Sequence, residues 1–370
     1  MYVYTFSVHK LPVGVLGASG YAGRELCALI ARHPSLRLHF ATANERRGER
    51  ARLGGHDIEF IAHDDADLDG CALVFSALPH GASAPWVQRA TAAGAKVVDL
   101  SADLRPGAAG MGDTGTGRDN AADVEHQPRS PSGSHNGGMS TSTEAASLTT
   151  VAAPRSYPYG LTELYRSEIA TSAVVANPGC YPTAILLALA PLVERRLVAS
   201  GATVAVTAAS GVTGAGFTPR TDLLFGEVTE DFRAYAAGNT HRHLPEMATT
   251  LARWGADCDL LFTPHLLPVA RGILATITVP LTAPLVMPNA LWRERFAGEP
   301  FIEISDEPPA LRDVVRRNVV RICAMTAANV RTPTLTVFSA IDNLVKGAAG
   351  QALQNANLML GRPEQEGLPS

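Results

Sequence analysis

The heptapeptide NPGCYPT, residues 177–183, places a cysteine in a turn with proline on both sides. The preceding SAVVAN is strand-like, and the following YPTAILLALAPLVERRL is helix-like with Pro182 in its first turn, where proline fits. Cys180 is therefore predicted at a helix N-terminus, where the dipole and free amides stabilise a thiolate and lower a thiol pKa. We predict a nucleophile, with a packed, unreactive thiol as the alternative.

A nucleophilic cysteine needs a proton-transfer group and a group that stabilises charge. The segment GNTHRHLPEM supplies His241, His243 and Glu246, and LLPVARGIL places Arg271 beside a glycine at a strand entrance. The two histidines could also form a metal pair, but no third ligand is evident in that extended segment, so we predict no metal. The set favours a cysteine-dependent oxidoreductase that acts on an acyl group.

The segment AASGVTGAG adds hydroxyls and backbone amides that could hold an oxyanion. We expect Ser210 of this segment to face the substrate and Gly211 to face the cofactor.

A glycine-rich segment, GVLGASGYAGREL, joins the first predicted strand to the first predicted helix. Gly17, Gly20 and Gly23 would let a phosphate approach the backbone, and the first helical amides point outward there. The spacing is GxxGxxG, so a tight strand–helix turn without a ligand is the alternative. The position of the turn at the first of several βαβ units favours dinucleotide binding.

The second predicted strand ends in ATANERRGER, which bears on the choice of dinucleotide. An NAD site usually carries an acidic residue at this place. Here the small residues Thr42 and Ala43 are followed by Arg46 and Arg47, which suit a 2′-phosphate. NADP is predicted, with a solvated basic loop as the alternative.

Strand-like and helix-like segments alternate over residues 11–105, which indicates a doubly wound parallel sheet of the Rossmann type. Residues 107–154 are rich in Gly, Ser, Thr and Asn and predict a mobile loop. Beyond them, several strands follow one another without long helices and predict an α+β domain with a mixed sheet. We predict an NADP-binding domain over 1–155 with 340–370, and a catalytic and oligomerisation domain over 156–339.

Composition excludes several classes of protein. The chain has 370 residues and a net charge of −4, which gives no support to a nucleic-acid or anionic-membrane partner. Its five cysteines are scattered without a CxxC pair, as expected in a reducing compartment. The N-terminus lacks a signal layout and the longest apolar stretch, residues 169–193, is interrupted by a polar turn. A cytoplasmic protein is predicted.

Nine blocks resemble, in order, those of the N-acetyl-gamma-glutamyl-phosphate reductases: GASGYAGREL, ALPHGAS, VVDLSADLR, YPYGLTEL, NPGCYPTAILLAL, SGVTGAG, HRHLPEM, TPHLLPVARGIL and IDNLVKGAAGQA. The resemblance implies NADPH-dependent reduction of N-acetyl-glutamyl 5-phosphate to the semialdehyde, a step of arginine biosynthesis. It also implies the fold of glyceraldehyde-3-phosphate and aspartate-semialdehyde dehydrogenases, a last helix packed on the nucleotide domain, and a homo-oligomer (dimer or tetramer).

The resemblance also implies roles for individual residues. Cys180 would be the nucleophile and His241 the acid/base, with His243 the competing choice. Substrate contacts would come from Arg105, His243, Glu246 and Arg271. Cofactor contacts would come from Gly17, Ser19, Gly20, Tyr21, Gly23, Pro79, His80, Asn343 and Lys346.

Two departures from the family pattern stand out. Phe217 follows GAG where the family usually has a basic residue, and the stretch after Arg105 is much longer than usual. Three other functions compete with the reductase. They are a carrier-linked aminoadipate phosphate reductase of lysine biosynthesis, an NADP sensor without catalysis, and a cysteine hydrolase.

Overall fold

The computed structural model describes residues 10–108 and 157–370. Its first sheet has five parallel strands in the order β2-β1-β5-β6-β7. The strands are β1 Leu11–Leu16, β2 Leu36–Ala41, β5 Leu73–Ser76, β6 Lys96–Asp99 and β7 Val174–Ala176, and a hairpin, β3 Arg50–Leu53 with β4 His56–Glu59, lies outside the sheet. The predicted doubly wound parallel sheet is confirmed.

Helices cover this sheet because its strands are apolar on both faces. All four residues of β5, LVFS, are buried. The helices are α1 Tyr21–Arg32, α2 Ser83–Ala92 and α3 Thr162–Thr171. On α1, Leu26, Leu29 and Ile30 recur at helical spacing and pack against the sheet, so the helix is held on its apolar side.

The second sheet is mixed and has seven strands in the order β12-β13-β14-β11-β8-β10-β9. The strands are β8 Ala202–Gly211, β9 Arg233–Ala234, β10 Cys258–Leu267, β11 Ile273–Pro280, β12 Ile302–Ile304, β13 Val320–Thr326 and β14 Thr334–Ile341. Strands β8 and β10 are parallel, whereas β11 runs antiparallel to β8 and to β14. The predicted mixed sheet is confirmed.

Four helices accompany the second sheet: α4 Cys180–Glu194, α5 Phe225–Val228, α6 Leu244–Arg253 and α7 Pro288–Arg295. Every residue of α4 from Tyr181 to Val193 is buried, and the helix packs against β11 and β14. The first residue of this buried helix is Cys180, so the packing of α4 in the core fixes the position of the cysteine.

The chain ends with a π-helical turn, Val345–Ala349, and helix α8, Gly350–Met359. Ala349, Ala352, Leu353 and Ala356 belong to the same core as β1 and α1. The last helix therefore packs on the nucleotide domain, as the family resemblance implies.

Strand β7 belongs to the parallel sheet, so the predicted boundary at residue 156 falls before the last strand of that sheet. The stretch 109–156 lies outside the described residues, and with it the predicted mobile loop over 107–154, apart from its first two residues, and the two histidines of that loop.

Candidate active site

Cys180 begins α4 directly after β7, as predicted from the sequence. A methyl group added to Gly347 in the π-helical turn would lie 2.8 Å from Cys180 Cβ. A methyl group on Gly179 would lie 2.7 Å from His243 Nε2 and 3.0 Å from Arg105 Nη1. The cysteine turn is thus enclosed by the terminal segment, an imidazole and a guanidinium.

The expectation of a lowered thiol pKa at the helix start is wrong. Burial raises the pKa of the Cys180 thiol above its ordinary value. Arg242, Arg105 and the Tyr181 backbone act in the opposite direction but do not outweigh burial, and Glu246 adds to the increase. The helix terminus and the two arginines reduce the rise in the thiol pKa that burial causes, but they do not reverse it.

The two imidazoles of the HRH segment lie side by side, with ring centroids 5.0 Å apart. The backbone N–H of His243 donates to His241 Nδ1 at 3.1 Å, so neutral His241 carries its proton on Nε2. Burial, and then the charges of Arg242, His241 and Arg105, lower the pKa of His243 well below its ordinary value. Both rings pack edge-to-face on Tyr181, the residue after the cysteine.

Glu246 and Arg105 hold the backbone of the cysteine turn. Glu246 Oε1 accepts hydrogen bonds from the Gly179 amide at 2.9 Å and the Tyr159 hydroxyl at 2.6 Å. Arg105 Nε donates to the Asn177 carbonyl at 2.8 Å, Nη2 donates to the Leu100 carbonyl at 2.5 Å, and Nη1 lies 3.4 Å from Glu246 Oε2. These contacts use most of the donors of Arg105. Its predicted contact with the substrate stays a prediction.

Arg271 joins the two halves of the chain beside the site, and Asn343 fixes the loop that carries Arg271. Arg271 Nη2 donates to Glu25 of α1 at 2.5 Å, and its Nη1 lies 3.6 Å from Asp342. Asn343 Oδ1 accepts the Gly272 amide at 2.8 Å, and its Nδ2 donates to Thr213 Oγ1 at 3.0 Å. These contacts bring the strand entrance after β10 next to the nucleotide domain.

Ser210 and Gly211 end strand β8 close to this junction. The Ser210 hydroxyl is buried and donates to the Gly211 carbonyl at 3.1 Å. A methyl group on Gly211 would lie 2.8 Å from the Ala270 carbonyl, so the close approach of these two segments requires glycine.

The glycine turn between β1 and α1 has the form expected of a phosphate-binding turn. Gly17 has φ +74°, and a methyl group there would lie 2.5 Å from the Ala77 carbonyl oxygen. A methyl group on Gly23 would lie 2.3 Å from the Gly17 carbonyl oxygen, whereas the nearest atom to one on Gly20 is 3.8 Å away. Helix α1 has no side-chain cap, so its first amides, next to Ser19 and Tyr21, suit an anionic ligand.

The end of β2 lies beside this turn. Thr42 is buried, and its hydroxyl accepts the Gly17 amide at 3.4 Å and lies 2.5 Å from His63 Nδ1. Arg46 is partly exposed and donates from Nε and Nη2 to Glu49 Oε2, at 2.8 and 2.5 Å. Thr42 therefore positions the turn, and Arg46 lies at its rim.

Pro79 and His80 are exposed after β5, at the same edge of the sheet. His80 Nδ1 lies 2.7 Å from Asp103 Oδ1, and this carboxylate also accepts the backbone amides of Gly81, Ser83 and Ala84. Asp103 thus orients His80 and secures the start of α2.

Lys346 is placed differently from the expected cofactor contact. Its side chain is fully buried, and Nζ donates to Glu163 at 2.6 Å and to Gln354 at 2.8 Å. These contacts make Lys346 part of the ion pair that fixes the π-helical turn, rather than a surface for the cofactor.

Sequence reasoning missed Arg242 and Asp103. Arg242 is exposed and is the foremost cationic influence on Cys180, although it stands inside the very HRH segment that supplied the histidines. Asp103 stands inside SADLR, two residues before Arg105. In both cases the missed residue is a charged side chain inside a sequence block that contains other predicted site residues.

The comparisons with known proteins cover both halves of the chain. Residues 12–172 match the family model "Semialdehyde dehydrogenase, NAD binding domain", and residues 180–343 match "Semialdehyde dehydrogenase, dimerisation domain". The N-acetyl-gamma-glutamyl-phosphate reductase of Halorhodospira halophila is 40% identical over 97% of this chain and 98% of its own length. That of Bordetella avium is 38% identical over 97% and 96%.

The chain belongs to the N-acetyl-gamma-glutamyl-phosphate reductase family.

Solved structures support the fold of this reductase-family chain. Aspartate semialdehyde dehydrogenase II of Vibrio cholerae, complexed with ASA, superposes with a TM-score of 0.68 at 17% identity, over 95% of this chain and 99% of that one. The Candida albicans aspartate semialdehyde dehydrogenase with NADP gives 0.60 at 14%, over 95% and 98%. Within residues 10–108 and 157–370, no helix is long and apolar enough to cross a membrane.

Proposed function

We propose that this chain catalyses the NADPH-dependent reduction of N-acetyl-L-glutamyl 5-phosphate to N-acetyl-L-glutamate 5-semialdehyde, with release of phosphate. The reaction is a step of arginine biosynthesis. The observation that carries the proposal is the position of Cys180 at the start of α4, enclosed by His243, Arg105 and Gly347. Relatives that match the chain over nearly its full length carry the name of this reductase.

The first step is acyl transfer to sulfur. Cys180 gives its proton to His241, and the thiolate attacks the acyl carbon of the substrate; a C–S bond forms, the C–O bond to phosphate breaks, and phosphate leaves. Because burial raises the pKa of the thiol, the reactive thiolate depends on the nearby guanidinium of Arg242. Free backbone amides at the start of α4 are suited to stabilise the tetrahedral oxyanion.

His241 is our candidate for the proton transfers that follow. In the neutral ring Nδ1 accepts a backbone N–H, so Nε2–H can donate a hydrogen bond to the oxygen that gains charge. In its imidazolium form the ring can give a proton to that oxygen and take it back when the C–S bond breaks. Glu246 and Arg105 act on the same turn as positioning residues, because they bind its backbone at Gly179 and Asn177.

The open glycine turn fits an NADP(H) pyrophosphate, because its uncapped amides and the space above Gly20 form a cradle that a side chain would fill. Ser19 and Tyr21 would hold the phosphates from this turn, and His80, oriented by Asp103, and Pro79 would lie on the nicotinamide side. NADPH, when bound, supplies the hydride that reduces the acyl carbon.

The second sheet supports a homodimer. Four residues that pair across adjacent strands are partly or fully exposed on one face of this sheet: Thr207, Thr263, Thr276 and Phe338. The opposite face carries the buried Val206 and Ile277. We propose that two chains pair through this face, consistent with the match to a dimerisation domain. Analytical ultracentrifugation should give twice the mass of one chain, and a monomer at micromolar concentration would refute the pairing.

We also propose a cytoplasmic location. All five cysteines are free thiols, including the half-buried Cys180, as expected in a reducing compartment. Recovery of the protein from an oxidising compartment on cell fractionation would contradict this location.

The reaction is tested in the reverse direction with Cys180→Ser. Wild-type protein should reduce NADP when N-acetylglutamate semialdehyde and phosphate are supplied together, and neither alone should suffice. The variant should lose more than about 1000-fold in kcat yet bind NADPH as before, because the weaker hydroxyl nucleophile replaces the thiolate. The aminoadipate analogue is the comparison substrate. Turnover at the wild-type rate in the variant would refute the mechanism, and a preference for the analogue would refute the substrate.

A further inference from the structure

The ring of Phe217 lies where the two halves of the chain meet. It follows the turn at the end of β8, is 40% exposed, and makes an edge-to-face contact with Tyr21 of the glycine turn at 5.0 Å between centroids. The guanidinium carbons of Arg24 and Arg46 lie 4.8 and 5.5 Å from the same ring centroid. A side chain of the catalytic half therefore gathers two cations of the nucleotide half.

The two guanidiniums are unequally neutralised. Arg46 forms an ion pair with Glu49. Arg24 donates from Nε only to the Ser19 carbonyl, at 2.8 Å, and forms no ion pair with a carboxylate of the described residues. Burial and the charge of Arg46 lower the pKa of Arg24, as expected for a cation held near another cation. The cluster has an excess of positive charge beside the glycine turn and would be stabilised by an anion.

The sequence already predicts a 2′-phosphate contact for Arg46. We propose that Arg24 binds the same 2′-phosphate of NADPH, and that Phe217 holds the two guanidiniums side by side for it. This proposal rests on the proposed function and names a further residue that selects its cofactor. A 2′-phosphate carries nearly two negative charges at neutral pH and can accept two bidentate guanidinium pairs. The ribose hydroxyl of NADH offers neither charge nor this geometry, so the cluster discriminates between the two cofactors.

Phe217 acts here as a positioning residue. Each cation–π contact contributes roughly 0.5–1 kcal/mol at an exposed site, which equals about a 2- to 5-fold change in affinity. The family usually has a basic residue at this position. In this chain the aromatic ring stands there instead and orders two arginines.

The first test measures binding of two fragments by calorimetry, adenosine 2′,5′-bisphosphate and AMP, which differ in the 2′-phosphate. Arg24→Gln should weaken bisphosphate binding by about 10- to 100-fold and leave AMP binding unchanged, because a charge-assisted pair is lost. The matched control is Arg50→Gln, at an exposed arginine of β3 that pairs with Glu59 outside the cluster, and it should change neither. Equal weakening of both fragments, or no change, would overturn the assignment of Arg24.

The second test separates the ring from its bulk. Phe217→Leu should raise the KM for NADPH about 3-fold without changing that for NADH or kcat, and Phe217→Tyr should restore the wild-type value, because only the aromatic face attracts the guanidiniums. Equal effects of Leu and Tyr would refute the role of the ring.

The two proposals fail separately. Selective bisphosphate binding by the wild type without any reaction of the semialdehyde would refute the proposed function and leave the 2′-phosphate site intact. Catalysis in which Arg24→Gln keeps the wild-type preference for NADPH over NADH would refute the site alone.

Discussion

Two strand-to-helix turns at the carboxyl edge of one parallel sheet have the same local form and opposite surroundings. Strand β1 leads into α1 and β7 leads into α4, and in both cases the residue before the helix is a glycine without a side-chain cap. Gly20 has φ −71° and ψ 166°, and Gly179 has φ −69° and ψ 159°. At the residue before the helix, the backbone does not distinguish the two turns.

What lies over each turn decides its chemistry. Nothing lies closer than 3.8 Å to a methyl group on Gly20, so the helical amides remain open to an anion. His243 and Arg105 lie against Gly179, and Gly347 lies against the cysteine. The open turn suits phosphate, and the covered turn holds one side chain, Cys180, in a defined place. The same kind of helix start can therefore bind a ligand or position a nucleophile, depending on the residues that pack over it.

The comparison is tested most strongly by two glycine-to-alanine substitutions, one at Gly347, which packs over the covered turn, and one at Gly20 in the open turn. Gly347→Ala should lower kcat on the order of 100-fold, because the new methyl group meets Cys180 Cβ at 2.8 Å and displaces the nucleophile. It should also lower the free energy of unfolding by about 1–3 kcal/mol through overpacking. Steady-state kinetics and urea unfolding measure both quantities.

Gly20→Ala is the matched control, since its methyl group enters open space. Its free energy of unfolding should stay within about 1 kcal/mol of wild type, and its KM for NADPH should rise while the Cys180 alkylation rate is unchanged. If both variants impaired the same quantity to the same degree, the two turns would not differ in the way described.

A smaller effect concerns the charges around the covered turn. The Arg242 cation favours the Cys180 thiolate, so Arg242→Gln should raise the thiol pKa further; Glu246 disfavours the thiolate, so Glu246→Gln should lower it. Only the thiolate reacts with iodoacetamide, so the pH midpoint of alkylation, followed on the Cys180 peptide, moves up in the first variant and down in the second. Arg253→Gln, at an exposed residue of the same helix α6, should leave the midpoint unchanged. Shifts of the same sign in both variants would contradict the electrostatic account.

Much of this architecture could be predicted from local pattern. Strand β1, the glycines after it and the helical spacing of α1 are signals within one short segment, and they identify the first βαβ unit. The start of α4 could be predicted for the same reason, since Pro178, Gly179 and Pro182 restrict the backbone locally. Periodicity and turn chemistry depend on neighbours in the sequence, and these predictions used nothing else.

The properties of the side chains could not be predicted so directly. The pKa of Cys180 depends on burial by α4, α6 and the terminal turn, which local sequence does not report, and burial reversed the expected direction. Lys346 was expected at the cofactor because of its block, but its amino group meets Glu163, which is distant in sequence. The placement of β7 in the first sheet likewise depends on pairing with β6 across the long intervening segment.

Helix α8 carries a consequence for the order of folding. Its residues Ala352, Leu353 and Ala356 complete the core that β1 and α1 begin, yet they lie far from those elements in the sequence. The core of the nucleotide domain therefore closes only after a segment far along the sequence has been synthesised, and contacts of such long sequence separation slow folding. Until α8 is made, the part of α1 that α8 contacts lacks its partner, and this apolar surface is open to aggregation.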